Sequence, residues 1–155
     1  MLTRLHNWFL EESRREGRAG ARLVVWPEQN LLIFKDDEAA FLERARQLAI
    51  DERIYLAMGL GTIYLSEELP FENKLVLIDQ SGKTIVSYRK TYPVFGWEAG
   101  IMKRGDDRLP IVTTPDGRFA AAICFDADFP EFMRQAGQGR ADLLILPAND
   151  WKRSK

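Results

Sequence analysis

The chain has 155 residues, and its 22 Lys and Arg against 23 Asp and Glu leave a formal net charge of −1, which excludes the strongly basic footprint of a dedicated nucleic-acid or anionic-membrane binder. Hydrophobic residues make up 46 % and charged ones 29 %, the composition of a globular chain that can fill a core rather than stay disordered. One cysteine, Cys124, and one histidine, His6, exclude an internal disulfide and a metal cluster built from several such side chains, and neither metal nor cofactor is expected.

Leu2, Leu5, Trp8 and Phe9 recur three and four apart, so residues 3–16 read as an amphipathic helix, ended by Gly17 and Gly20. Leu23-Val24-Val25-Trp26 is a short, continuously apolar run stopped by Pro27, as in a strand buried on both faces, with Glu28 at its end. Asp36 and Asp37 open a second helix with Phe41, Leu42, Ala45, Leu48 and Ala49 on one face, and strand material follows at 54–58 and 63–65. Residues 73–79 and 83–88 form a hairpin with Gly82 at its turn, and 110–114 and 118–125 form a second strand pair around Pro115-Asp116-Gly117. A helix from Pro130 ends at Gly137 or Gly139, and the strand Leu143–Leu146 ends at Pro147. The segments leading into Pro27 and Pro147 echo each other, each a helix, a Gly-Arg-Ala turn and an apolar strand, which predicts neighbouring strands of one layered α/β sheet.

Cys124 stands where the apolar strand Phe119–Ile123 gives way to Asp126 and Asp128 and then to a helix beginning at a proline. Such a strand-to-helix turn puts a nucleophile at a sheet edge with backbone N–H groups behind it; the alternative is a small buried hydrophobe. Glu28 closes a buried strand, where desolvation makes a carboxylate a better proton acceptor, or else it lies in solvent beyond the strand. Lys90 closes a hairpin strand and is otherwise a surface charge. Together, three strand ends on one sheet edge can meet in one cleft. A thiol to attack, a carboxylate to take its proton and an ammonium to hold developing negative charge then make a complete set without a histidine.

Gly59-Leu-Gly61 lacks the third glycine and following helix of a dinucleotide-binding turn. The four tryptophans do not alternate with basic residues as a nucleic-acid stacking platform would, and residues 151–155 form a short basic tail.

Leu23-Val-Val-Trp-Pro-Glu28, Asn73-x5-Asp79-x2-Gly82-x5-Tyr88-Arg-Lys90 and Ile123-Cys-Phe-Asp-Ala-Asp-Phe-Pro-Glu131 together resemble, in order, the nitrilase superfamily of carbon–nitrogen hydrolases. The resemblance covers nearly the whole chain. It implies an α-β-β-α sandwich formed by residues 1–155 as a single partial domain, incomplete at both ends. It implies Glu28 as general base, Lys90 as charge stabiliser, Cys124 as the nucleophile that forms a thioester, and the Phe125 N–H as an oxyanion donor. A second glutamate is implied in the loop after the lysine, where Glu98 stands; a plain loop carboxylate is the other reading.

The resemblance is double. Cys124-Phe125-Asp126 is similar to the amide-hydrolysing branches, whereas Pro93–Glu98 and Pro147–Trp151 are similar to the apolipoprotein N-acyltransferase branch. The expectation is therefore an amidase or nitrilase acting on a small amide or nitrile, with acyl transfer from a donor to an amine acceptor as the alternative, and a catalytically silent fragment or binding module as the reading from another class. A homo-oligomer is expected of the complete domain. No apolar run reaches the ~18 to 20 residues of a membrane span, and no secretory signal opens the chain. A cytoplasmic location is expected, or a soluble domain of a membrane-anchored parent. Leu31, Leu32, Ile33 and Phe34 could line a hydrophobic mouth, with core packing as their other use.

Overall fold

The computed structural model describes residues 2–149. Helix α1 (Leu2–Arg18) leads to strand β1 (Leu23–Val25), then β2 (Leu31–Phe34), helix α2 (Lys35–Glu52), and strands β3 (Tyr55–Ile63), β4 (Phe71–Ile78) and β5 (Thr84–Arg89). After these come the short helix α3 (Trp97–Ile101), β6 (Ile111–Thr114), β7 (Gly117–Ala121), a 3₁₀ turn over Cys124–Asp128, helix α4 (Pro130–Gln138) and β8 (Leu143–Ile145).

Two sheets form among the described residues. In the first, β3 pairs antiparallel with β4, and β4 with β5, while β1 and β2 share the other edge of β3 as successive parallel partners. The second runs β6-β7-β8, with an antiparallel and then a parallel pairing. The predicted hairpins are therefore present. The echoing segments, however, are not neighbours: β1 belongs to the first sheet and β8 to the second. Nor is either strand buried on both faces, as the apolar run before Pro27 predicts: Val25 is 42 % exposed, and Leu143 and Leu144 are 39 % and 38 % exposed, so similar local patterns specify a strand but not the partner or the cover it finds.

Period-two alternation sorts the first sheet's side chains into two cores. Leu56, Met58, Leu60, Val76 and Ile78 meet Phe41, Ala45, Leu48 and Ala49 of α2 and Phe9 and Leu10 of α1. On the other face Tyr55, Ala57, Leu75, Leu77, Val86 and Tyr88 meet Phe119, Ala121 and Ile145 of the second sheet, and Phe132 of α4 joins them. The α2 face is as predicted. The α1 face is rotated: Phe9, Leu10 and Ser13 are buried, whereas Trp8 is 54 % exposed. A polar residue turns the helix, because Ser13 Oγ accepts the buried Trp26 indole N–H at 2.8 Å and itself donates to Phe9 O. Leu31 and Ile33 are buried in the helix-side core, whereas Leu32 is 38 % exposed on the opposite face of β2.

Residues 54–65 were expected as two strand pieces, yet β3 is one nine-residue strand running through Gly59 and Gly61. Gly59 is there for space: a Cβ would lie 2.3 Å from Pro27 O and 2.9 Å from Glu28 Cα. The Pro27–Glu28 backbone passes directly over β3, and only glycine allows that approach.

Candidate active site

Glu28, Lys90 and Cys124 each leave the end of an extended segment, and all three line one cavity of about 120 Å3, together with Gln29, Val94, Trp97, Glu98 and Asn149. Glu28 lies in the turn after β1, where Gln29 takes a left-handed φ of 52° and redirects the chain into β2. Lys90 immediately follows β5. Its N–H donates to Asn73 O at 2.8 Å and its carbonyl accepts from Gly105 N at 3.0 Å, so its backbone is held from both sides.

The carboxylates and the ammonium are almost withdrawn from water: Glu28 is 5 %, Lys90 1 % and Glu98 3 % exposed. Buried charges survive only when paired and hydrogen-bonded. Lys90 Nζ donates to Glu28 Oε1 at 2.8 Å and to Glu98 Oε2 and Oε1 at 3.1 and 3.3 Å. Asn73, fully buried on β4, donates its amide nitrogen to Glu28 Oε1 at 2.8 Å and to Glu98 Oε1 at 3.0 Å. Burial by itself pushes the Lys90 ammonium down, but the two carboxylates outweigh it and its pKa is raised.

The two glutamates differ in what they have left to offer. Glu98 accepts from Gln29, Asn73, Lys90 and the Val94 N–H, over both oxygens. In Glu28 the donors Asn73 and Lys90 both go to Oε1, which among the described residues leaves Oε2 for a further partner. Glu98 sits not in an open loop, as expected, but in the first turn of α3 with its carboxylate turned inward. The Pro93–Gly96 stretch hid this short helix.

Cys124 opens the 3₁₀ turn with φ of 45°, a left-handed conformation uncommon for a residue with a side chain. Its N–H donates to Pro147 O at 2.9 Å and ties the turn to the end of β8. Burial pushes the thiol up, the Glu28 carboxylate adds to that push, and the Lys90 charge works against it. The cysteine is therefore a protonated thiol at neutral pH unless a neighbour takes the proton. Phe125 follows in the same turn. The Cys124 N–H goes to Pro147 and the Asp126 N–H to Ile123 O at 3.0 Å, and the first N–H groups of a helical turn have no partner within it. Cys124 and Phe125 also line a second, more open cavity of about 480 Å3 with Val94, Ala127, Asp128, Leu146, Ala148 and Asn149.

Two residues that the sequence reading left without a role complete the site. Asn73 bridges the carboxylates as described. Asp126, wholly buried, accepts from Tyr88 Oη at 2.8 Å, from the Thr91 and Tyr92 N–H groups at 3.1 and 2.9 Å, and from the Ile123 N–H at 3.0 Å. Burial raises its pKa against the pull of these donors. It fastens the cysteine turn to the segment just after Lys90. Asn73 opens the expected strand between Glu72 and Lys74, and Asp126 is a carboxylate three residues past the apolar run Phe119–Ile123; both patterns are also common at surfaces. The Asp150-Trp151 part of the acyltransferase-like cue and the basic tail lie outside the described residues.

The chain is also similar to known proteins in sequence and in fold. The family described as Carbon-nitrogen hydrolase matches residues 2–155. A hydrolase encoded in the pqqF 5′ region of Pseudomonas protegens is 31 % identical over 155 residues, covering 94 % of this chain and 52 % of its own. The deaminated glutathione amidase of Mus musculus is 31 % identical over 134 residues, covering 79 % of this chain and 41 % of its own. A Bacillus cereus formamidase is 31 % identical over 152 residues, with 86 % and 43 % covered. The chain thus spans about half the length of the curated relatives it matches. In fold it resembles the amidase from Nesterenkonia sp. AN1. A double mutant in complex with acrylamide superposes with a TM-score of 0.85 at 19 % identity over 99 % of this chain and 62 % of that one. A single mutant with acrylamide added at its active site cysteine gives 0.82 at 20 % identity, with 95 % and 61 % covered. The chain belongs to the carbon–nitrogen hydrolase family, and its α/β fold is that of the nitrilase superfamily.

Proposed function

We propose that this member of the carbon–nitrogen hydrolase family cleaves small amides through a thioester on Cys124. The observation that carries the reading is the convergence of Glu28, Lys90 and Cys124 on one small cavity, with the ammonium 2.8 Å from the carboxylate. Glu28 takes the thiol proton and the sulfur attacks the carbonyl carbon, forming the C–S bond while the π electrons move to oxygen. Lys90 and the Phe125 N–H hold that oxyanion. The tetrahedral adduct collapses, the C–N bond breaks, and the amine leaves with the proton from Glu28. Water, deprotonated by Glu28, then attacks the thioester; the C–S bond breaks and the thiol recovers its proton. Glu98, with both oxygens already accepting, holds Lys90 rather than moving protons.

Relatives bearing amidase names favour water over an amine as the acyl acceptor. Among the described residues no helix is long and apolar enough to cross a membrane. The test is the alkylation rate of Cys124 in the wild type and in Glu28→Gln. A rate well above that of free cysteine that falls in the variant supports the reading. A Cys124 no faster than free cysteine, and indifferent to Glu28, favours a binding module on the same fold.

A further inference from the structure

Two carboxylates converge on one ammonium in this site, so an arrangement is needed that keeps them apart and decides which of them faces the sulfur. We infer that Asn73 is the positioning residue that makes Glu28 a base, a role that rests on the Glu28–Cys124 chemistry proposed above. Its amide nitrogen has two hydrogens, and both are used: one reaches Glu28 Oε1 at 2.8 Å and the other Glu98 Oε1 at 3.0 Å. That places a neutral double donor between two like charges whose counter-ion among the described residues is Lys90.

The geometry carries three consequences. First, Glu28 Oε1 is loaded by Asn73 and Lys90 together, which orients the carboxylate and reserves Oε2 for the thiol. Second, the Asn73 carbonyl oxygen of the main chain accepts the Lys90 N–H at 2.8 Å, so one residue sets both the base and the start of the lysine side chain. Third, the side-chain Oδ1 of Asn73 is buried and meets no donor among the described residues. Buried acceptors are ordinarily satisfied, and an amide chosen for packing would not leave one idle while both its hydrogens serve carboxylates. Turned over, the amide would set Oδ1 against two carboxylate oxygens, so its orientation is dictated by charge.

The test follows the second-order alkylation of Cys124 by iodoacetamide from about pH 5 to about pH 10 in the wild type, Asn73→Asp, Asn73→Ala and Glu28→Gln. Thermal midpoints are recorded on the same samples and rates are taken well below them. Asn73→Asp has the same shape and adds a third carboxylate. The expected result is a rising limb moved to higher pH and a rate at neutral pH lowered about tenfold, because the cluster then holds a proton that Glu28 must be without to act. Asn73→Ala lowers the rate to a similar extent by releasing Glu28, and it carries the test if Asn73→Asp does not fold. A purely structural Asn73 would leave the profile in place, with rates changed only by the folded fraction, and that outcome overturns the inference. If Glu28→Gln moves the profile and neither Asn73 variant does, the inference alone falls. A wild-type profile in Glu28→Gln removes the base on which it rests.

Discussion

Replacing Lys90 by methionine separates the electrostatic account of this site from one based on packing. Methionine fills much of the same volume, so little cavity is created. What disappears is the counter-ion that touches Glu28 at 2.8 Å and Glu98 at 3.1 Å, in a place where both carboxylates are at most 5 % exposed. Removing one partner of a buried pair costs about 3–5 kcal/mol. At about 2–4 °C of melting temperature per kcal/mol for a chain of this size, the midpoint falls by roughly 10 °C. The sign of the pH dependence is diagnostic. In the variant two carboxylates share one buried space with no cation, so the folded state binds a proton more readily than the unfolded chain does. Its stability relative to the wild type therefore rises as pH falls from about 7.5 to about 5. Adding Glu98→Gln removes one of the two like charges and recovers part of the loss. Urea unfolding followed by tryptophan fluorescence, at both pH values and for all three proteins, gives the numbers. A Lys90→Met variant as stable as the wild type, or a loss that is the same at both pH values, refutes the reasoning.

Gly59→Ala forces the Pro27–Glu28 backbone away from β3, since the added methyl would stand 2.3 Å from Pro27 O; a loss of about 2 kcal/mol or more and slower Cys124 alkylation are expected, measured by denaturation and thiol labelling. Asp126→Asn turns an NH2 group toward some of the four donors that the carboxylate now accepts; a loss of about 1–3 kcal/mol per donor left unpaired should appear in the melting temperature, and an unchanged midpoint would deny Asp126 its fastening role. Lys90→Arg is expected to leave amide turnover undetectable, because a planar fork cannot occupy the place of a compact ammonium between two carboxylates; turnover at the wild-type rate would make Lys90 peripheral.

Much of the site was legible because each of its principal residues interrupts a local pattern. Glu28 and Cys124 end apolar runs and Lys90 ends a hairpin strand, and a polar side chain that closes such a run stands out against it. The hairpins were legible for the same local reason, their turns being written in Gly82 and in Pro115-Asp116-Gly117. What depends on distant partners was not. Periodicity could not tell that Ser13 would be drawn inward by the Trp26 indole, which rotates the buried face of α1 away from Trp8. Nor could it tell that Gly59 and Gly61 make room for a crossing backbone and side chains instead of dividing β3. The resemblance of the Leu23–Trp26 and Leu143–Leu146 segments reported a shared local conformation, while the sheet each strand joined was decided by packing. Asn73 needs both Glu28 and Glu98 in place before its role is visible.

The most direct trial of the account is mass spectrometry of the protein quenched during incubation with a short aliphatic amide. The account predicts one acyl group, attached at Cys124 and absent in Cys124→Ala, whose small change of volume is expected to keep the fold. An acyl group on a different residue, or amide turnover that persists in Cys124→Ala, would contradict it.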